Sequence, residues 1–307
     1  MKKLQILFTS MIIGLIVTSC SVVIDDVHDP YYATLEEVLT DYDLWYIDYN
    51  LTTGNGDVAF LSKAFTISFN NGNLYANNNL VGIGTSGNGY GIQIGYYDTY
   101  RGFLEVDHDL DGYFDFDVVQ LSNDRIKLVD SYNNVTFYLE GYQKHNFDYD
   151  QIFYDNIEYF LQEYSAWEKT YVSNTGALND FDNENYLMFT PENVTTFYSS
   201  RDDFGINIAD IYWDYVGDYA VADVQGYDNL KILTLDYDSW GNEEFELIVI
   251  NDEKISLYHI ASETTYEFTG RGYIQFLKPD SKKDVVRNAG RKRTKVIRET
   301  KIRRNLK

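Results

Sequence analysis

The sequence predicts an all-β protein built from two tandem antiparallel meander units, each a barrel or a two-layer sandwich preceded by a short α-helix. Three observations lead to this prediction. The middle of the chain contains an internal repeat, most of its segments are short and rich in β-branched and aromatic residues, and Gly- and Asn-rich turn sequences separate these segments. Short strands joined by tight turns are typical of meander barrels and sandwiches.

The start of the chain has the pattern of an export signal. Two lysines (MKK) precede an apolar stretch at about 4–17, which is too short for a membrane-spanning helix and matches a secretory signal peptide. The stretch ends in VTSC, which resembles the bacterial lipobox, whose cysteine is lipidated and becomes the new N-terminus. We therefore predict a lipoprotein signal peptide at 1–19, lipidation at Cys20 and an anchor linker at 20–30. The alternative is an ordinary signal peptide followed by an incidental cysteine.

The predicted anchor also indicates a location. Cys20 is the only cysteine, so an internal disulfide is excluded. Acyl chains at Cys20 would hold the protein on a membrane without spanning it. Asp25 and Asp26 follow, and acidic residues behind the lipidated cysteine resemble the surface-export signal of Bacteroidetes lipoproteins. This resemblance implies an outer-membrane protein at the cell surface, and the periplasmic face is the alternative.

The charge of the chain is distributed unevenly. The formal net charge is −23, yet the end of the chain, 278–307, is basic and contains the run GRKRTKVIRETKIRR. Its sparse apolar residues predict a disordered tail. Such a tail is either plainly solvated or binds anionic lipid headgroups, polysaccharide or the acidic body of the protein. Nucleic acid is disfavoured as a partner, because the acidic body would repel it and the protein is predicted to be exported.

The internal repeat sets the domain boundaries. YYATLEEVLTDYDLWYIDY matches FYDNIEYFLQEYSAWEKTY, and VDHDLDGYFDFDVVQLSNDRIKL matches LDYDSWGNEEFELIVINDEKISL. The matches predict a first β unit at 31–143, a linker at 144–150 and a second β unit at 151–277. Each unit is long enough to bury a core of its own.

Each unit begins with a predicted helix whose apolar residues fall on one face. Thr34 with Glu37 in the first unit, and Asp155 with Glu158 in the second, have the spacing of a capping box. The segments that follow are strand-like and are separated by turn sequences. In the first unit they read AFTISF, GIQIGYY, GFLEV, YFDFDVVQL, RIKLVD and VTFYL.

A short helix, a tryptophan that opens the first strand and about seven or eight meander strands resemble the lipocalin-like domains of Bacteroidetes lipoproteins. The tryptophans are Trp45 and Trp167, and the Gly-x-Trp of those domains is absent. The whole chain resembles a flavobacterial family of duplicated lipoproteins that have sometimes been labelled nicotinic acid mononucleotide adenylyltransferase. The motifs that carry this resemblance are DLWY at 43–46, YDTY at 97–100, DHDLDG at 107–112, FDNENYL at 181–187 and FTGRG at 268–272.

The residues do not support the adenylyltransferase activity that this label implies. Such an enzyme has a parallel α/β sheet and a His-x-Gly-His motif, which none of the four histidines forms. No Gly-rich loop joins a strand to a helix as phosphate binding requires. Neither a G-x-S-x-G elbow nor a cluster of zinc ligands occurs. His108 lies inside an acidic turn, and we expect it to be exposed to solvent.

The leading functional hypothesis is therefore a lipoprotein that binds or has a structural role through its two β units, rather than an enzyme. The 29 tyrosines favour binding, because tyrosine stacks on sugars and is frequent at protein interfaces. Filling of barrel walls is the alternative role for them. The expected partners are a glycan, a protein or an apolar ligand. An envelope enzyme, such as a carboxylate-type hydrolase, is the alternative function, although 48 acidic residues leave no basis for selecting a catalytic pair.

The stretch DHDLDGYFDFD has the spacing of a calcium loop. Alternating aspartates followed by a glycine place several carboxylates around one point, and calcium prefers such oxygen ligands. The predicted ligands are Asp107, Asp109, Asp111 and Asp115. A weaker set in the second unit is Asp236, Asp238 and Glu244, because Trp240 replaces the third aspartate. Calcium would be structural here, and the alternative is an acidic hairpin turn without metal.

Overall fold

The computed structural model describes most of the chain between residues 33 and 275. The described residues are 22–23, 33–58, 60–77, 83–191, 195–238, 241–275, 285–287 and 300–301. They form two eight-stranded antiparallel closed barrels in tandem. The predicted all-β class and internal repeat are thereby confirmed, and both units are barrels.

The first barrel follows a single short helix, α1 (Leu35–Thr40). Each of its strands pairs with the next one along the chain, and the last strand, β9, pairs with the first, β2, to close the barrel. A short strand, β1 (Val22–Val23), lies outside this circle and pairs with β7. The barrel strands are β2 (Leu44–Gly54), β3 (Thr66–Asn70), β4 (Asn73–Asn77), β5 (Ile92–Tyr100), β6 (Phe103–His108), β7 (Gly112–Ser122), β8 (Arg125–Asp130) and β9 (Val135–Tyr142).

The second barrel follows two short helices, α2 (Tyr149–Asp155) and α3 (Ile157–Leu161). Its strands repeat the same order, and β17 pairs with β10 to close the barrel. These strands are β10 (Tyr164–Val172), β11 (Tyr186–Phe189), β12 (Thr196–Ser200), β13 (Tyr215–Val224), β14 (Tyr227–Tyr237), β15 (Asn242–Asn251), β16 (Lys254–His259) and β17 (Thr264–Gln275). Two further strands pair in parallel with the barrel: β18 (Val285–Arg287) with β17 and β19 (Thr300–Lys301) with β13.

One of the two predicted capping boxes is present. The backbone N–H of Thr34 donates to the Glu37 carboxylate at 2.8 Å, and the backbone N–H of Glu37 donates to the Thr34 hydroxyl at 3.2 Å. The box predicted for Asp155 and Glu158 is wrong, because Asp155 is the last residue of α2 rather than a cap. Asp148 caps α2 instead, as its carboxylate accepts from the backbone N–H of the third helical residue.

A tryptophan joins the helix to the barrel in the same way in both units. The side chains of Trp45 and Trp167 are fully buried. The indole N–H of Trp45 donates to the carbonyl oxygen of Leu39 at 2.9 Å, and that of Trp167 donates to the carbonyl oxygen of Leu161 at 2.8 Å. A buried indole needs such a partner, and the bond ties the end of each helix to the first strand of its barrel.

Several predictions fall on parts of the chain outside the described residues. The signal peptide at 1–19 and lipidation at Cys20 are among them and stay predictions. The tail at 278–307 also lies mostly outside, and its two described stretches are the strands β18 and β19. Among the residues that the structure describes, no helix is both long and apolar enough to cross a membrane.

Candidate functional site

The strand register relates the two barrels residue by residue. The pairing of β2 with β3 is repeated by that of β10 with β11, and the pairing of β5 with β6 is repeated by that of β13 with β14. Equivalent cross-strand pairs are Trp45–Ile67 and Trp167–Leu187, and Gly95–His108 and Gly217–Tyr237. The residues at equivalent inward-facing positions of the two barrels can therefore be compared directly.

Aromatic side chains fill the interior of the first barrel near the β6–β7 turn. The Phe60 ring stacks on the His108 ring with centroids 4.9 Å apart, and it also contacts the Phe114 ring at 5.3 Å. Ala64 is buried beside them. These contacts leave the first barrel with a packed interior at this end.

The expectation that His108 is exposed is wrong. Its side chain is buried, and its Nδ1 accepts from the backbone N–H groups of Leu110 and Asp111, at 3.3 and 3.0 Å. His108 is the last residue of β6, in which alternate residues face inward, so its position in the strand decides its burial. The three-residue turn folds over the imidazole, and Gly112 closes it with φ +85°.

The second barrel carries polar residues at the equivalent positions. Glu184 corresponds to Ala64, Tyr237 to His108 and Glu243 to Phe114, as the shared strand register and backbone hydrogen bonds indicate. All three line a cavity of about 310 Å³. Its wall also includes Asp180, Arg201 and Tyr215. A space that aromatic rings fill in the first barrel is therefore open and lined by carboxylates in the second.

Glu184 is the most deeply placed carboxylate of this cavity. It is 5% exposed and stands between a 3₁₀ turn (Asp180–Asn183) and β11. The Tyr237 hydroxyl donates to its Oε2 at 2.7 Å. Burial raises the pKa of Glu184 to about 7, and the negative charge of Glu243 adds to this rise against the opposing effects of hydroxyl hydrogen bonds and of Lys169. The pKa of Tyr237 is itself raised by burial and by the charge of Glu184, so its hydroxyl keeps its proton.

Glu243 is held by a histidine. Its Oε2 lies 2.5 Å from Nε2 of His259, and Nδ1 of His259 lies 2.7 Å from the Ser262 hydroxyl. Serine, histidine and glutamate in line have the composition of a hydrolase triad. However, Ser262 is buried and does not line the cavity. The equivalent pair in the first barrel is Asp130 and Asn133, whose hydrogen bond braces the same turn at 2.8 Å. The histidine and serine therefore brace a turn, and Glu243 is the member that reaches the cavity.

A buried lysine contributes to the polar interior of the second barrel. Lys169 is 3% exposed, and its ammonium donates to the backbone carbonyl oxygen of Asp182 at 2.6 Å. Burial lowers the pKa of Lys169 to about 8, while the charges of Asp182 and Glu184 oppose this change. Its equivalent in the first barrel is Ile47, which is fully buried. The polar character of the second interior thus extends beyond the wall of the cavity.

The mouth of the cavity contains an ion pair. The guanidinium of Arg201 lies 3.1 Å from the carboxylate of Asp214, and its side chain is about half exposed. The backbone N–H of Arg201 also donates to Asp214 at 2.8 Å. The guanidinium carbon lies 5.5 Å from the centre of the Tyr215 ring. Arg201 is therefore anchored at the rim by Asp214, which lies outside the cavity, and by Tyr215 of the cavity wall.

The predicted calcium ligands lie around the β6–β7 hairpin. Asp107 is paired with Tyr113 and Asp115 with Glu105, and all four are exposed. Asp109 and Asp111 belong to the turn. In the second barrel, Asp236, Asp238 and Glu244 occupy the equivalent hairpin, and residues 239–240 lie outside the described part. Within the described ranges, no group of three or more His, Cys, Asp or Glu side chains could hold a metal ion as arranged. Calcium binding at this turn stays a prediction.

Comparison with known proteins adds no assignment. No model of a protein family matches the chain, and no curated protein shows significant similarity to it. The resemblances to lipocalin-like lipoproteins and to duplicated flavobacterial lipoproteins therefore stay predictions.

The cavity residues were not among the sites that the sequence predicted. One signal for them was available, because the repeat aligns Phe114 with Glu243 at a position where the strand pattern demands an inward side chain. The replacement of Ala64 by Glu184 was harder to detect, since the segments before β3 and β11 differ in length.

Proposed function

We propose that this chain is a lipid-anchored protein of the outer-membrane surface that binds a small polar ligand in the cavity of its second barrel. The first barrel would have a structural role. The observation that carries the proposal is the replacement of Ala64 and Phe114 by Glu184 and Glu243 around an open cavity.

Buried carboxyl groups cost a fold free energy of stability. Burying a carboxyl group in place of a methyl or phenyl group destabilises a fold unless the group finds partners or loses its charge. The first barrel shows that this backbone accepts a buried Ala64 and a partly buried Phe114 at the same positions. Ionisable groups that converge on a concave space, despite that cost, are typical of binding and catalytic sites. The polar wall favours a polar ligand over the apolar one that an empty lipocalin-like barrel would hold.

The binding proposal can be tested with a variant that copies the first barrel into the second. Glu184→Ala, Tyr237→His and Glu243→Phe together would rebuild the packed interior. Ligand-observed NMR with a mixture of monosaccharides, amino acids and small amines should detect binding to the wild type and no binding to the triple variant. Circular dichroism would verify that the variant is folded. Binding by neither protein, or equal binding by both, would refute the proposal.

The location has a separate test. The apolar segment at 4–17, Cys20 and the following Asp25 and Asp26 support a surface lipoprotein. Metabolic labelling with a palmitate analogue should mark the wild type and leave Cys20→Ala unlabelled. External protease on intact cells should degrade a surface protein, whereas protection until the outer membrane is opened would indicate the periplasmic face.

The cavity also favours a second candidate, the carboxylate-type hydrolase. Glu184 has a pKa of about 7 in a buried setting, whereas Glu243 is paired with His259. Two carboxyl groups in unlike environments are the arrangement that general acid–base catalysis uses. Hydrolysis of nitrophenyl glycosides or esters that is lost in both Glu184→Gln and Glu243→Gln would support the enzyme. Activity that survives either change would exclude this mechanism.

A further inference from the structure

We propose that the ligand of this cavity is an organic cation, a primary ammonium or guanidinium group that binds among Asp180, Glu184 and Glu243. Near and below neutral pH its binding would displace a proton from Glu184. This inference rests on the proposed binding function and specifies the ligand class. It goes beyond the glycan, protein or apolar partner that the sequence suggested.

The charges that line the cavity are unbalanced. Among the described residues, the lining includes three carboxyl groups, those of the exposed Asp180 and of the more buried Glu184 and Glu243, and one cationic side chain, Arg201. That guanidinium is already paired with Asp214, and it lies at the exposed rim. Once all three carboxyl groups are ionised, the lining carries more negative than positive charge, and the nearby basic groups, Lys169 beside Glu184 and His259 on Glu243, lie outside the lining. A ligand cation would supply the missing charge.

The surroundings of Glu184 support the same conclusion. Tyr237 contacts it as a neutral hydroxyl, and Glu243 is a second acid. The ammonium of Lys169 has a favourable effect on its charge, but that ammonium is bonded to the carbonyl oxygen of Asp182. With all these groups in place, Glu184 still resists ionisation near neutral pH. Its ionised form is thus the state that gains most from a nearby cation.

The aromatic part of the wall suits a cation as well. The rings of Tyr215 and Tyr237 meet edge to face, with centroids 6.0 Å apart. An ammonium group is attracted to such rings, and more strongly in a partly desolvated site. The volume of about 310 Å³ is at the small end of ligand cavities, which selects a compact ligand. A neutral sugar could use the hydrogen-bonding groups but would leave the excess charge uncompensated.

A matched pair of probes tests the inference. n-Butylammonium and 1-butanol have nearly the same shape and differ in charge, and the amine stays protonated across the pH range used. NMR titration of the full-length protein at pH 8 should give at least about tenfold tighter binding of n-butylammonium than of 1-butanol. Methyl glucoside serves as the neutral sugar probe, and we expect it to bind more weakly than the amine.

The pH dependence tests the proton displacement. Because Glu184 takes up a proton between pH 8 and pH 5, the affinity of the wild type for n-butylammonium should fall by about 50- to 100-fold over this range. Glu184→Gln should bind the amine more weakly than the wild type at pH 8, and its affinity should change by no more than about threefold between pH 8 and pH 5. Glu253→Gln removes an exposed carboxylate in the turn between β15 and β16 and should behave as the wild type.

The outcomes separate the two proposals. Equal binding of the amine and the alcohol, or tighter binding of methyl glucoside, would contradict a cationic ligand. The proposed binding function of the cavity would still stand. A pH dependence that is unchanged in Glu184→Gln would overturn the displacement of its proton. If neither these probes nor any compound of the mixture binds, the inference and the proposed function both fail.

Discussion

Replacing Glu184 by glutamine should increase the free energy of unfolding at pH 8 and have little effect at pH 4. The folded protein holds the pKa of this carboxyl at about 7, against an ordinary value of 4.5. Each pKa unit corresponds to about 1.4 kcal/mol, so ionisation of Glu184 costs the fold about 3 kcal/mol. Glutamine keeps an oxygen that accepts from the Tyr237 hydroxyl, and it removes the charge. The expected gain is therefore about 3 kcal/mol, and this figure already includes the attraction between Glu184 and Lys169.

The sign and the pH range follow from linkage. Below pH 4.5 the carboxyl is protonated in both the folded and the unfolded chain, so it contributes no penalty. Between pH 4.5 and about 7 the unfolded chain is ionised while the folded chain keeps its proton, so stability is lost as the pH rises through this range, and the full penalty is present above pH 7. Urea unfolding from pH 4 to pH 8 measures this difference, with Glu253→Gln as the control in an exposed turn. An equal offset between Glu184→Gln and the wild type at every pH would refute the reasoning.

Three further predictions concern the fold and the turns. Ala64→Glu should destabilise the first barrel by about 3–5 kcal/mol at pH 8, because it places a carboxyl in a packed interior, and urea unfolding with an unchanged midpoint would contradict this. Gly217→Ala should lower the free energy of unfolding by about 1–3 kcal/mol, because the added Cβ would lie 2.1 Å from the Asp236 carbonyl oxygen. At Gly241 an added Cβ meets nothing within 4 Å, so Gly241→Ala should leave the thermal melt unchanged. Millimolar calcium should add about 0.4–1.4 kcal/mol to the stability of the wild type and less to Asp109→Ala, and equal melting with calcium and with chelator would exclude the site.

The architecture could be predicted because its signals are local and repeated. Alternating short segments, turn sequences and the duplicated Trp motif each indicate the same class, and they do not depend on distant contacts. The second helical segment was predicted less well. The spacing of Asp155 and Glu158 fits a capping box, but a chain that enters its helix earlier, at Asp148, uses Asp155 as a final residue. Spacing alone does not fix where a helix begins.

The exposure of His108 illustrates a different error. Its aspartate neighbours suggested a solvated turn, yet Leu104, Val106 and His108 share one parity in β6 and therefore one face. Strand parity outweighs the polarity of the flanking residues, because a change of face would require a shift in register. The same parity rule applied to Glu243 would have placed this carboxylate inside the second barrel. The cavity itself depends on residues at 180–184, 201, 215 and 237–243, and no local pattern reveals their convergence.

The free-energy cost of ionising Glu184 affects both the affinity for the proposed ligand and the stability of the second barrel. If a cation restores ordinary ionisation of Glu184, the pH-dependent part of its binding free energy is limited by the cost of ionising that carboxyl, about 3 kcal/mol. The titration and the unfolding experiments must therefore agree. A strong pH dependence of affinity without a matching gain in Glu184→Gln would mean that the ligand responds to another group, with Glu243 beside His259 as the next one to test.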